Sequence, residues 1–392
     1  MKILIATESY WPNADGGALF ERRLVNGLID RGHTVTVWAP SPSFKNFDEI
    51  DGRYTIHRER SIVFWANKKY RFSLAPFLSA RRIILRDKPD VIHTHTAYFI
   101  GLSIMFWARR YKIPVVATNH FMPENLIGNL RWPKIFDGML TKLTWEFLIW
   151  FHNKASFVTS PTPTAVDLLV AHGLRMPHRA VTNGIDMAVF KPNQDVNSVI
   201  KKYNIATDRP VILYLGRLDG EKRVDVIVSA VAELLKIQKV QLVLSGFGPM
   251  MKELQKQVSE LGITDQVIFT GYIDDQDKPL LYNGATVFVI ASPAELQSIV
   301  TLEAMASGLP IIAVDVAALH ELCHDGENGY LFPNGNVSAL TENLKKLITD
   351  KDLQKKFGAE SIKIVKESHS SEHMLDEYES VYKTIVSEVQ PF

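Results

Sequence analysis

The stretch ASPAELQSIVTLEAMASGLP, residues 291–310, holds two carboxylates eight positions apart, Glu295 and Glu303, around an apolar turn. On one continuous helix their Cα atoms would lie about 12 Å apart, at about 1.5 Å per residue. Paired acids that hydrolyse a glycoside sit closer, about 5 to 9.5 Å, so the spacing argues against a hydrolase. It suits one acid at each end of an extended ligand. A carboxylate accepts hydrogen bonds from two neighbouring hydroxyls, and a nucleotide sugar offers one such set on its ribose and one on its hexose, with a diphosphate between. Taken singly, each acid also reads as an ordinary loop or surface-helix residue.

Cations for such a diphosphate stand in LGRLDGEKRVD, where Arg217 and Lys222 follow an apolar run and precede a helix start. A helix N-terminus already favours anions, so two fixed cations there make most sense if a diphosphate is shared among them; a solvated loop pair is the plain alternative. In NADGGALFERRL, Gly16 and Gly17 would let a ligand approach free helix N–H groups, although a Gly-Gly pair also suits a simple turn. Gly246 and Gly248 of SGFGPM, and Tyr272 after the next strand, divide between turn formers and neighbours of something flat. His93 and His95 in HTH share one face of a strand, but no third metal ligand accompanies them, which favours hydrogen bonding over a metal.

These residues need rigid elements behind them. Short β-branched runs alternate with stretches of helical period: KILIA (2–6), a helix over 19–32, TVTVWA (34–39), a helix over 74–88, DVIHT (90–94), PVVATN (114–119), an aromatic helix over 133–152, SFVTS (156–160) and AVTN (180–183). The rhythm is that of a doubly wound parallel sheet, whose ligands bind beyond the strand carboxyl ends. It pauses over 184–210, which is turn-rich, and restarts with strands at 211–216, 240–246, 266–271, 286–292 and 310–314 and helices at 225–236, 250–261, 277–283, 299–307 and 337–348. Two α/β domains follow, 1–190 and 191–371, with the amphipathic segment 372–392 expected to pack back on the first.

Composition sets the outer limits. A chain of 392 residues, 46% apolar and 22% charged, can fill two cores; its net charge of +1 gives no overall attraction to nucleic acid. Cys323 is the sole cysteine, so neither an internal disulfide nor a cysteine zinc site is expected. The N-terminal apolar run is too short for a signal core, and no stretch reaches the roughly 20 apolar residues of a spanning helix, which points to a cytoplasmic protein. Residues 131–154 interleave Trp132, Phe136, Trp145, Phe147, Trp150 and Phe151 with Arg131, Lys134, Lys142 and Lys154. That composition suits a helix lying at a membrane face, although a helix packed on a sheet needs the same large apolar residues and basic ends and is the stronger reading.

In order along the chain, DGG (15–17), PDVIHTH (89–95), NGID..VF.P (183–192), GRL..EK (216–222), G.GP (246–249) and E.......EAMA.G.P (295–310) resemble the motifs of the retaining nucleotide-sugar glycosyltransferases of family 4. The resemblance implies a GT-B fold of two Rossmann-like domains facing across a cleft, closing around a nucleotide-sugar donor, UDP-hexose by family frequency, with no metal. By it Gly16 and Gly17 serve the donor diphosphate, Arg217 and Lys222 neutralise it, Glu303 holds the ribose and Glu295 the transferred sugar, with Gly246, Gly248, Tyr272, Ser298 and Ile299 among the donor contacts. His120 matches a family histidine beside the transferred sugar. Where the family commonly reads E-G-F-G, this chain has Glu295-Leu296-Gln297-Ser298, which leaves the donor sugar open. HFMPEN (120–125) is similar to a motif of diacylglycerol glucosyltransferases, which makes a lipid one acceptor to expect and puts Phe121 and Glu124 near it. A sugar or polyol acceptor, a nucleotide-sugar epimerase and a non-catalytic carbohydrate-binding protein are the competing readings.

Overall fold

The computed structural model describes residues 1–12, 16–63, 71–74, 76–124 and 137–388. The chain divides into two compact units, one made of Met1–Gly184 with the C-terminal segment from Ser371, the other of Ile185–Ser370. The division falls before the 190/191 boundary read from sequence. Ile185 donates its N–H to the His369 carbonyl at 2.8 Å, and both Ile185 and Phe190 are buried in the second core.

In chain order the first unit runs β1 (Lys2–Ala6), α1 (Gly16–Asp30), β2 (Thr34–Pro40), β3 (Phe47–Asp51), β4 (Tyr54–Glu59), β5 (Ser61–Val63), β6 (Arg71–Ser73), α2 (Pro76–Asp87), β7 (Val91–Thr94), α3 (Phe99–Arg110), β8 (Val115–Thr118), α4 (Asp137–His152), β9 (Phe157–Ser160), α5 (Pro163–Ala171) and β10 (His178–Ala180). Its main sheet has the order β10-β9-β8-β7-β1-β2-β4-β3, and β5 pairs with β6 apart from it. The reason the strands read as unbroken apolar runs is visible in β1. Ile3 and Ile5 join the core beneath α1, with Phe20 and Leu24, while Leu4 and Ala6 join the core beneath α3, with Ile100 and Ile104. Both faces are covered, as a parallel sheet requires.

A wholly parallel sheet is corrected at one edge, where β3 runs antiparallel to β4. Neither strand is apolar enough to be read from hydropathy. Buried His57 of β4 is instead held by Asp48 at 2.8 Å and Asp87 at 2.9 Å, and Arg58 by Glu49 at 2.8 Å. The strand expected at 180–183 also ends early, at Ala180, after which the Val181 N–H still reaches β9, through the Ser160 carbonyl.

The second unit contains α6 (Asn197–Tyr203), inside the stretch read as linker, then β11 (Val211–Leu215), α7 (Val224–Leu235), β12 (Gln241–Ser245), α8 (Met251–Glu260), β13 (Val267–Gly271), α9 (Lys278–Asn283), β14 (Val287–Ile290), α10 (Ile299–Ala306), β15 (Ile311–Val314), β16 (Gly329–Phe332), α11 (Val337–Thr349) and α12 (Lys351–Ile364). Its six-stranded sheet is parallel throughout, in the order β13-β12-β11-β14-β15-β16. Strand order reverses between β11 and β14 here, and between β1 and β7 in the first unit. At such a switch point the two outgoing loops part and leave a ligand crevice.

The last helix, α13 (Ser371–Glu388), lies on α1 of the first unit. Met374, Leu375, Tyr378, Val381, Tyr382 and Ile385 repeat at helical spacing and are buried. A Cβ at Gly27 of α1 would come within 2.5 Å of Leu375, so glycine permits this close approach. Polar ties fix the register: Arg31 pairs with Glu372 at 2.6 Å and Asp376 at 2.7 Å, and the Tyr382 hydroxyl meets His93 Nδ1 at 2.7 Å.

Candidate active site

The second unit gathers its charges at the β11/β14 switch point. β11 ends at Leu215, Gly216 turns the chain at φ 154°, and Arg217 follows. A short 3₁₀ turn over Gly220–Lys222 then aims Lys222 back toward the loop after β14. There its ammonium lies 2.7 Å from Glu295 Oε1 and 3.3 Å from the Ser292 hydroxyl. Glu221 links the cations, accepting from Arg217 Nη2 at 2.7 Å and standing 3.8 Å from Lys222. Arg217 also pairs with Asp219 and remains 60% exposed, whereas the Lys222 and Glu295 side chains are 15% and 16% exposed. A nearly buried ammonium and carboxylate thus hold each other beside a solvent-facing guanidinium.

Glu295 is not on the helix that carries Glu303. α10 starts only at Ile299, with the Ser298 hydroxyl as its N-cap accepting from the Thr301 N–H, so the single-helix estimate of the Glu295–Glu303 spacing does not apply. The first-turn N–H groups of Ile299 and Val300 point out of that end without intrahelical acceptors. Glu303 is buried on α10, where its Oε2 accepts from the Tyr282 hydroxyl at 2.8 Å. Burial, and then the Glu303 charge, push the Tyr282 phenol well above its usual range, so it is a fixed donor. Burial pulls the Lys278 ammonium down, but the charges of Glu303 and Asp275 more than offset this and keep it protonated. The two acids are therefore held by separate partners, Lys222 and Tyr282.

Gly246 and Gly248 have a reason of their own. A Cβ at Gly246 would fall 1.9 Å from the Gly216 carbonyl oxygen, and one at Gly248 2.4 Å from that of Leu218, so both glycines let the loops after β11 and β12 pack backbone to backbone. Tyr272 follows β13 with most of its ring in solvent.

The first unit presents a different group at its β1/β7 switch point. Glu8, just past β1, is buried and accepts from the Ile100 N–H at 2.6 Å and the Ser73 hydroxyl at 3.3 Å, which caps α3. Desolvation outweighs both hydrogen bonds and pushes its carboxyl up to about 7. The neighbouring strand β7 and the loops after β7 and β8 carry three histidines. His93 is buried between Tyr382 and Thr118, the latter at 2.6 Å; His95 lies over His93 with ring centroids 4.0 Å apart; His120, past β8, stacks on His95 at 5.6 Å and meets Phe20 edge-on at 4.9 Å. Burial pulls all three down, His120 to about 4, so the rings are neutral at pH 7. Neither nitrogen of His95, nor Nε2 of His120, has a hydrogen-bond partner among the described residues.

Gly16 and Gly17 form the first turn of α1, and a Cβ at Gly16 would meet nothing within 4 Å, so the protein itself does not demand glycine there. Phe121 packs against the core beneath α3, and Glu124 accepts from the Trp145 indole at 2.9 Å. Of the interfacial-helix residues, Arg131, Trp132, Lys134 and Phe136 lie outside the described residues. Sequence reasoning missed Ser292, Tyr282 and Glu8. The first two are polar positions inside apolar elements that only the fold aims at Lys222 and Glu303; Glu8 carried a signal, being an acid two residues past an apolar strand.

Comparison with known proteins agrees with this geometry. The model for Glycosyltransferase Family 4 matches residues 14–189, and that for Glycosyl transferases group 1 matches residues 195–364. Alpha-monoglucosyldiacylglycerol synthase of Streptococcus pneumoniae is 32% identical over 342 residues, 85% of this chain and 75% of that protein. Among solved structures, sucrose-phosphate synthase of Thermosynechococcus elongatus matches with a TM-score of 0.79 at 20% identity, covering 99% of this chain and all of the other. Anabaena HepE in complex with UDP matches with a TM-score of 0.77 at 19% identity over 98% of this chain and all of that one. With two parallel-sheet α/β units of GT-B type and both halves matched, the chain belongs to glycosyltransferase family 4.

Proposed function

We propose that the protein transfers a hexosyl group, with retention at the anomeric carbon, from a UDP-sugar to a hydroxyl of a lipid such as diacylglycerol. The observation that carries this reading is the Lys222–Glu295 pair beside Arg217 at the β11/β14 switch point. Departure of a nucleoside diphosphate puts negative charge on phosphate while the anomeric carbon becomes cationic. Lys222, Arg217 and the first-turn N–H groups of α10 stabilise the first charge, and Glu295, held against Lys222, hydrogen-bonds the sugar that carries the second. Two side-chain cations and a helix N-terminus supply positive charge that a metal would otherwise bring.

Glu303 is assigned to the ribose hydroxyls, with Tyr282 and Lys278 fixing its orientation and charge. Gly16 and Gly17 give α1 amides to the diphosphate, and His120 gives the sugar a hydrogen bond from a neutral ring. Gly246, Gly248, Tyr272, Ser298 and Ile299 complete the donor contacts, and Phe121 and Glu124 are assigned to the acceptor side. No residue of the cluster is placed as a free covalent nucleophile, which favours attack on the face that the phosphate leaves. The relative named for an α-linked glucosyl lipid supports both the lipid acceptor and the retained configuration, and the UDP held by the structural neighbour supports the donor base. A lipid acceptor also implies contact with a membrane face.

A mass-spectrometric product screen tests this, with UDP-, GDP- and ADP-hexoses against lipid, sugar and polyol acceptors. The expected product is an α-hexosyl lipid. A glycosylated sugar or polyol alone would replace the acceptor, a rearranged sugar without acceptor would make the protein an epimerase, and donor binding without product would make it a carbohydrate-binding protein.

A further inference from the structure

α13 brings more than apolar packing to the first unit. Its buried stripe of Met374, Leu375, Val381 and Ile385 also carries two fully buried tyrosines, Tyr378 and Tyr382. Buried phenols normally find a polar partner. Phenylalanine would fill the same space, so the two hydroxyls are what packing alone does not demand.

Their partners lead to the histidines. The Tyr382 hydroxyl lies 2.7 Å from His93 Nδ1, and His93 Nε2 lies 2.6 Å from Thr118 Oγ1. Thr118 Oγ1 in turn lies 2.5 Å from Thr159 Oγ1 of β9 and 3.4 Å from the Tyr378 hydroxyl. Chemistry gives these bonds a direction. Burial pushes the Tyr382 phenol well above its usual range, so it keeps its proton, and among the described residues its hydroxyl has no other hydrogen-bond partner. The phenol therefore donates to Nδ1. His93 is neutral and has one N–H, so that hydrogen sits on Nε2 and is donated to Thr118, whose own hydroxyl donates onward to Thr159. Both nitrogens of His93 are committed, and its tautomer is set from α13.

From His93 the contact passes ring to ring. His95 lies over His93 with centroids 4.0 Å apart, and His120 stacks on His95 at 5.6 Å, with the ring planes 19° apart. Phe20 meets His95 and His120 edge-on at 5.6 and 4.9 Å, and Tyr378 stands 5.0 Å from His93. The inner ring of this stack is satisfied by the protein, whereas the outer ones are not: neither nitrogen of His95, nor Nε2 of His120, has a hydrogen-bond partner among the described residues. A polar atom left unmet in the interior is costly, and marks a place where a ligand completes the bonding.

We propose that Tyr382 is a positioning residue for the sugar contact: acting through His93 and His95, it fixes the imidazole of His120. The inference rests on the assignment of His120 to the transferred sugar and goes beyond it, by giving the last helix of the chain a part in the reaction. A tyrosine that only stabilised the fold would not act through His120.

Tyr382→Phe keeps the ring and removes the donor. Turnover, read with the donor and acceptor that the product screen gives, should fall about fivefold in kcat, the worth of one hydrogen bond, with donor KM within about twofold of the parent. In a His120→Ala background the same substitution should cost no further turnover, because residues that act as a unit are not additive. Ile385→Val, which trims an apolar residue of the same helix face, should keep the parent kcat. Should Tyr382→Phe fail to fold, Thr118→Val, which removes the other bond of His93, should lower kcat likewise, while Thr118→Ser restores it. Ring-nitrogen magnetic resonance of the full chain carrying isotope-labelled histidine needs no substrate: Tyr382→Phe should change the tautomer ratio of His93 and move the His95 and His120 signals. Parent kcat in Tyr382→Phe, an equal loss with and without His120, or unmoved His95 and His120 signals would overturn the proposal. Parent turnover in His120→Ala would sink the sugar assignment and leave the ring spectra to decide the positioning. Lost turnover in His120→Ala, with parent kcat and spectra in Tyr382→Phe, would sink the positioning alone.

Discussion

The two units share a topology and differ in what they place at its switch point. After β11 and β14 the second unit sets Arg217, Lys222, Glu221 and Glu295 in a chain of ion pairs, partly open to solvent. At the ends of β1 and β7 the first unit sets Glu8, His93 and His95, with His120 from the β8 loop stacked on His95, and desolvation drives these groups toward their neutral forms. Charged groups that hold each other in place keep their charge ready for a charged ligand. Neutral, desolvated groups can orient a hydroxyl without carrying charge themselves. The same topological position therefore holds a cluster suited to the proposed diphosphate contacts in one unit and a cluster suited to uncharged hydrogen bonding in the other.

The largest expected effect tests the neutral half. Glu8 has a folded pKa of about 7 against an ordinary value of 4.5, so its protonated form is the one the fold prefers. Its contribution is complete below pH 4.5 and is lost as pH rises through 7; at about 1.36 kcal/mol per unit the ceiling is about 3 kcal/mol. Glu8→Gln keeps the neutral shape and should be more stable than the parent at pH 8, with the difference closing near pH 4. The histidines act with the opposite slope, their contribution being present above pH 6.5 and lost as pH falls toward 4, but they are common to both proteins and cancel in the comparison. Thermal unfolding of the two proteins across pH 4–8 measures this, and a difference independent of pH would remove Glu8 from the neutral set.

Lys222→Ala addresses the charged half. If Lys222 stabilises the departing diphosphate, turnover should fall at least about tenfold, or about 1.4 kcal/mol of transition-state stabilisation. The substitution also leaves the nearly buried Glu295 without its 2.7 Å partner. Lys222→Arg separates the two effects by keeping the charge and losing the fit. Turnover equal to the parent in Lys222→Ala would contradict the assigned role.

How much of this contrast was legible in sequence differs between the halves for a physical reason. Arg217, Lys222 and Glu295 announce themselves because a charge next to an apolar strand end is unexpected on packing grounds. Their meeting needed one further fact, that β11 and β14 are adjacent, which Lys222 and Glu295, 73 positions apart, do not reveal. The Glu8 group was harder to see. An acid two residues past an apolar strand is a signal that an ordinary loop carboxylate gives as well, and only burial turns it into a carboxyl that titrates near neutrality. Gly246 and Gly248 show the reverse: the sequence left turn and ligand readings open, and the structure supplies backbone contacts that require glycine at both. β4 was missed because it is buried through ion pairs rather than through apolar side chains.

Glu303→Gln should act more gently, since the amide keeps the shape and the Tyr282 hydroxyl can still donate to its oxygen. What is lost is the extra strength of hydrogen bonds to an ionised acceptor, about 1 kcal/mol, so UDP should bind about fivefold more weakly by calorimetry with thermal stability nearly unchanged. An unchanged UDP affinity would count against the ribose assignment.

The smallest expected effect is the most informative about why the charged cluster exists. Arg217 makes ion pairs with Asp219 and Glu221, yet it is 60% exposed, and exposed pairs contribute about 0 to 1 kcal/mol because water and salt screen them and side-chain entropy opposes them. Arg217→Ala should shift unfolding free energy by less than about 0.5 kcal/mol, while donor affinity falls. That outcome would mean the guanidinium is retained for a ligand and not for the fold, since the surrounding acids already hold it in place without gaining stability from it. A loss of stability larger than the loss of donor affinity would reverse the assignment and make Arg217 a structural partner of the acids beside it.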